Sequence, residues 1–213
     1  MFLLGGIFSA QFGMAAVYGA EAGLSVAQIS MFVATFFVGS VVLQYPIGWI
    51  SDRMDRRKLI IIVSVIGVGG SILGMLLGHV FTLLLASAFV VGGMSNPLYS
   101  LLIAHTNDFL EHEDMAAASG GMVFINGLGA ILGPIITGWL MGTALGPGGF
   151  YLFTAILFVM LAAYASYRAT QRPAVPVEET GEFVPITASA TAVAMEYAQE
   201  VAIEAEQESE NAE

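Results

Sequence analysis

Charge along this 213-residue chain leaves three long stretches almost empty. Residues 1–51 hold one charged residue, Glu21, while residues 59–107 and 115–167 hold no Asp, Glu, Lys or Arg. A membrane-spanning α-helix needs about 20 apolar residues, so each stretch of roughly 50 accommodates two spans and a tight turn. Six helices are predicted, near residues 2–19, 27–50, 58–78, 81–104, 116–141 and 148–167. Gly and Pro collect near residues 19–25, 78–79 and 142–149, where the hairpins must turn. A large soluble helical core is the competing class. It requires polar outer faces at the helical period, whereas residues 59–77 are apolar all round. The composition agrees: 11% of residues are charged, against roughly 25% in soluble domains.

The remaining charge sets orientation and organisation. Arg53, Arg56, Arg57 and Lys58 fall between the second and third helices, and Arg168 and Arg172 follow the sixth. All six lie on one side of a six-span topology, and basic loops favour the cytoplasm, so both termini are expected there. The acidic loop with Asp108, Glu111, Glu113 and Asp114 lies on the same side, which the rule tolerates because acids orient weakly. Residues 173–213 carry ten acidic and no basic residues, while residues 1–172 carry seven and six. The expected division is a transmembrane body over 1–170 and an acidic, disordered cytoplasmic tail over 171–213. No cysteine is present, which rules out disulfides, thiolate metal sites and cysteine nucleophiles. No basic face suits nucleic acid. The start lacks the positive lead-in of a signal peptide, so the first apolar segment is read as a span.

One motif stands out in this frame: Gly48-Trp49-Ile50-Ser51-Asp52-Arg53-Met54-Asp55-Arg56-Arg57. A glycine near the end of an apolar helix leads into a dense charged turn and another apolar helix. An ordinary positive-inside loop explains the basic residues but not Gly48, Ser51 and Asp52 in register. The run resembles the signature loop of the major facilitator superfamily, Gly-x-Leu-Ala/Ser-Asp-Arg/Lys-x-Gly/Asp-Arg-Arg/Lys, with Ile50 at the Leu position and Asp55 in the Gly/Asp slot. Chemically, Gly48 lets a neighbouring helix approach. Asp52 is placed to cap a helix N-terminus, and Arg56 to pair with it one turn on. The resemblance implies that Gly48, Ser51, Asp52, Arg53, Asp55, Arg56 and Arg57 form a gating latch and not a substrate site.

The fifth helix carries Gly120, Gly129, Gly133-Pro134 and Gly138, a spacing similar to the glycine–proline motif of facilitator antiporters, although Thr137 stands at its first closing glycine. Generic small-residue packing explains these positions as well, and Pro134 should bend the helix. In the third helix Gly70, Gly74 and Gly78 form a packing ridge. Polar residues within spans must find partners or face water. Gln11, Tyr18, Gln44, Asn96, Tyr99 and Asn126 are therefore the candidate substrate pathway, with interhelical hydrogen bonding as the alternative for each. Pro97, beside Asn96, is expected to break the fourth helix at mid-membrane, as suits a binding site.

No acid or base lies deep in a span, His79, His105 and His112 lack metal-triad spacing, and no nucleophile elbow, P-loop or dinucleotide fingerprint occurs. An enzyme, a cofactor and a metal are not expected. The expected fold is all-α: one half of the facilitator fold, built as two inverted three-helix repeats, with no convincing residue-level self-similarity between them. The resemblance points to the C-terminal half of a bacterial drug- or metabolite-like member in the inner (plasma) membrane, a fragment of a twelve-helix permease. Its expected partners are the lipid bilayer, a small-molecule substrate, and the missing N-terminal half or a second copy. A non-transporting scaffold or relic half is the alternative. A channel is disfavoured because no filter segment is evident.

Overall fold

A computed structural model describes residues 1–109, 115–171 and 183. It contains six helices of membrane-spanning length and apolarity: α1 Phe2–Glu21, α2 Val26–Ser51, α3 Arg56–Leu77, α4 Phe81–Asn107, α5 Met115–Met141 and α6 Gly148–Gln171. All six predicted spans are present. The expectation of a disordered acidic tail falls on residues outside the described ones, Phe183 excepted. The turns obey local chemistry. Gly23 takes a positive φ of 74° between α1 and α2. Ser25 then caps α2 in a reciprocal box, accepting from the Gln28 amide while the Gln28 side chain accepts from its own.

Helix continuity departs from expectation in both directions. Pro97 sits inside an uninterrupted α4, so the expected mid-membrane break is not there. Its missing amide falls beside polar side chains that bond the local backbone: Ser95 Oγ and Asn96 Nδ2 both donate to the Gly92 carbonyl, at 3.2 and 3.4 Å. The irregular helix is α1 instead, where Ala10–Met14 form a π-turn around Gln11, a feature that adds one residue to a turn.

Packing reveals the repeat. The dominant pairs are α1 with α5, α2 with α4, and α3 with α6. Exchanging the first three helices with the last three turns the first pair into the second and the third into itself. The glycines give the register. A Cβ on Gly5 would collide with the Asn126 carbonyl, and one on Gly129 with the Phe2 carbonyl; likewise Gly92 abuts the Phe36 carbonyl and Gly39 the Phe89 carbonyl. Phe2 and Gly5, Phe89 and Gly92, Phe36 and Gly39, and Asn126 and Gly129 all share one spacing. Aligned this way, Phe2-Leu3-Leu4-Gly5-Gly6 matches Phe89-Val90-Val91-Gly92-Gly93. Similarly, Gly39 and Gly48-Trp49-Ile50 match Gly129 and Gly138-Trp139-Leu140. Residue-level self-similarity therefore exists, contrary to the reading from sequence alone. It is concentrated around the positions where two backbones touch, where the fold demands a glycine.

The two ends of the bundle differ. One gathers Tyr18, Phe32, Phe150 and Tyr151, with Tyr18 centroids 5.1–5.3 Å from the other three. The opposite end holds the α2–α3 turn and the C-terminus of α4. Helices α2 and α5 are the least buried and present broad apolar faces, among them Phe37, Val41, Phe124, Ile131 and Ile135.

Candidate functional site

The charged turn is organised by Arg56. This residue opens α3, is 3% exposed, and would be costly to bury without partners. Its Nε donates to Ser51 Oγ at 3.3 Å, and its Nη1 donates to Asp108 Oδ1 at the C-terminus of α4. Asp108 is likewise buried, with its side chain 4% exposed. Three helix ends (α2, α3 and α4) are thus tied by one guanidinium, whose forked donors suit such bridging. The expected Asp52–Arg56 pair is present only as a longer contact of 3.9 Å. Asp108 is the partner that sequence reasoning missed.

The capping assignment also moves. Asp52 is the C-terminal cap residue of α2. The N-cap of α3 is Asp55, whose carboxylate accepts from the Arg57 amide at 3.0 Å and from the Arg57 side chain at 3.2 and 3.1 Å. Burial pushes the Asp55 carboxyl upward. The Arg57 hydrogen bonds, together with the charges of Arg57 and Lys58, outweigh it and hold the group below the usual carboxylate range. Arg53 turns back on its own helix, its guanidinium 4.1 Å from the centroid of the Trp49 ring and Nη1 donating to the Trp49 carbonyl. Asp52 keeps an exposed carboxylate that accepts from the backbone amide of Phe183 at 3.0 Å. Phe183 lies over Gly48, where a Cβ would stand 2.6 Å from its ring.

The polar interior is smaller than expected. Gln11, fully buried, donates from Nε2 to Ser95 Oγ at 3.0 Å. Asn96 adjoins this pair, and Tyr99 stands one turn on, its ring edge-on to Phe8 at 5.9 Å. Three candidates sit elsewhere. Tyr18 belongs to the aromatic end. Asn126 donates to the Met1 carbonyl at 3.4 Å, in the α1–α5 contact. Gln44 is half-buried on α2. In α5, Gly129 and Gly133 press on the α1 backbone and its Ser9 side chain, Pro134 faces Gly13 of the π-turn, and Gly138 meets Met14 at ordinary contact distance. No atom lies near a Cβ built on Gly120. That pattern is a packing seam.

Two interchangeable three-helix units, with the charged turn at one end and a buried polar pair between α1 and α4, define a six-helix half of a transporter-type membrane fold. The chain belongs to the Major Facilitator Superfamily, whose profile it matches over residues 1–201. With six spans of sufficient length, it is an integral membrane protein. It is 30% identical over 146 residues to the uncharacterised MFS-type transporter YfkF of Bacillus subtilis, covering 66% of this chain and 36% of that protein. Another relative, the uncharacterised MFS-type transporter YcaD of Escherichia fergusonii, is 24% identical over 157 residues, with 74% and 38% covered. The chain therefore spans under two-fifths of the length of these relatives. Among solved structures, an auto-inhibited POT family peptide transporter superposes with a TM-score of 0.67 at 16% identity, over 83% of this chain and 38% of that one. The POT family transporter PepTSo gives 0.65 at 14%, over 82% and 38%.

Proposed function

We propose that this chain is one wall of a secondary transporter that moves a small molecule across the bacterial plasma membrane by alternating access. The carrying observation is the buried Ser51–Arg56–Asp108 bridge across three helix ends, which can hold those ends together in one facing state and release them in another. Gly48, Asp52, Arg53, Asp55 and Arg57 complete the latch around it. Gln11, Asn96 and Tyr99 are the substrate-pathway candidates that the fold brings together; Tyr18, Gln44 and Asn126 take packing or boundary roles. The distribution of basic residues supports a cytoplasmic latch and cytoplasmic termini.

On this reading residues 1–170 are the C-terminal half-domain of a twelve-helix permease and residues 171–213 its tail. A substrate site between two halves requires a second six-helix bundle, either the N-terminal half or another copy. The coverage of under two-fifths of YfkF and YcaD supports this. The open apolar faces of α2 and α5 suit lipid on one side and that second bundle on the other. The test is Asp52→Asn in the twelve-helix protein, which should slow flux while changing half-saturation by substrate little. Unchanged flux removes the latch from the mechanism. If the unsubstituted assembly carries no flux at all, the non-transporting scaffold reading takes its place.

A further inference from the structure

The latch has a second set of contacts that come from far along the chain. Phe183 donates its amide to Asp52 Oδ1 and lays its ring on Gly48, 131 residues from its hydrogen-bond partner. Each half of this contact answers a local need. Asp52 caps the C-terminus of α2, where the helix dipole disfavours a carboxylate and a donor is welcome. Arg56 reaches that carboxylate only at 3.9 Å, being engaged chiefly by Asp108. Gly48, with no side chain, leaves a notch that an aromatic ring fills. The connection is feasible: α6 ends at Gln171 on the same end of the bundle as the α2–α3 turn, and the twelve residues to Phe183 can reach on the order of 40 Å.

We propose that Phe183 docks on its own chain as a strap, whose seat is the Gly48–Asp52 notch and whose role is to regulate the latch. The notch cannot hold Phe183 and a segment of a second six-helix bundle together, so strap binding and docking of another bundle on this face exclude each other. That exclusion rests on the transporter reading above; the docking itself does not.

Because the chain has no cysteine and transport is not needed for the readout, the test can be structural. A photoreactive benzoylphenylalanine replaces Phe183 in the full chain in lipid nanodiscs, and cross-linked peptides are identified by mass spectrometry. Cross-links should concentrate on residues 48–52 and fall several-fold in a Gly48→Leu background. Cross-linking mainly to lipid or to other helices overturns the strap. Since Gly48→Leu could disturb α2, a second arm uses Phe183→Ala, which leaves every helix untouched. Hydrogen exchange at the Asp52 and Arg53 amides should then accelerate several-fold, and unchanged exchange overturns the proposal. Loss of the strap in these assays leaves the transporter reading standing. Absence of flux, conversely, leaves the docking result intact.

Discussion

In the first three-helix unit, the helix ending Gly48-Trp49-Ile50 runs into six charged residues between positions 52 and 58. In the second unit, the equivalent ending Gly138-Trp139-Leu140 runs into Met141-Gly142-Thr143-Ala144-Leu145-Gly146-Pro147, which holds none. Upstream, the two are built alike, with glycine backbones pressed against carbonyls at Gly5 and Gly129 and again at Gly39 and Gly92. The contrast separates two demands on one chain. Close approach of parallel helices is met by the same few residues in both units, because backbone contact admits only glycine. The turns beyond those helices are free of that packing constraint. One end became a buried charged bridge that ties three helix ends, and the other an uncharged turn beside an aromatic cluster.

The strongest way to sharpen that contrast is Arg56→Leu. It leaves Asp108 buried without its guanidinium, an effect of about 3–5 kcal/mol when one member of a buried pair is removed. Thermal unfolding in detergent should show this loss, and Asp108→Leu added to it should restore much of it, since an apolar pair tolerates burial. Next in size is the shared clasp. Gly92→Ala forces α2 and α4 apart and should cost about 2–3 kcal/mol, towards the upper part of the overpacking range. Gly127→Ala, where nothing lies near a new Cβ, should be neutral or slightly stabilising. Equal effects at the two sites would break the claim that backbone contact selects the glycines.

The smallest effect concerns the charged end alone. Asp55 has a depressed folded-state pKa, so its contribution is present above the unfolded carboxylate value near 3.9 and fades as pH falls through the lower folded value. The unsubstituted chain should exceed Asp55→Asn by about 1 kcal/mol near neutrality, because Asn still caps the helix. Below roughly pH 4 the difference should start to shrink, and it should vanish only once pH is under the lower folded value, as followed by unfolding at stepped pH.

Much of this architecture was legible in the sequence. Uncharged stretches of that length leave no alternative to paired spans, and the Gly48–Arg57 run announced a special turn. The rest was hidden for identifiable reasons. Asp108 looked like one acid among several in a cytoplasmic loop, since nothing local marks a residue whose partner lies 52 positions away. The repeat is masked because its identities are a handful of contact positions within otherwise interchangeable aliphatic residues. Pro97 suggested a broken helix, yet α4 absorbs it. The interruption falls in α1, where no proline or charge announces it. Gln11, Asn96 and Tyr99 were chosen by polarity and do lie near one another. Tyr18 was chosen by the same rule, and the aromatic cluster claims it.

The π-turn at Ala10–Met14 governs the geometry of the rest of α1. One surplus residue shifts the angular phase of the next segment by about 100° relative to an unbroken α-helix. The side of α1 on which Tyr18 emerges is therefore decided seven residues earlier, at the turn that holds Gln11 against Ser95. Were that turn to regularise, Tyr18 would swing away from Phe32, Phe150 and Tyr151, so the buried amide and the distant ring cluster share a single mechanical setting.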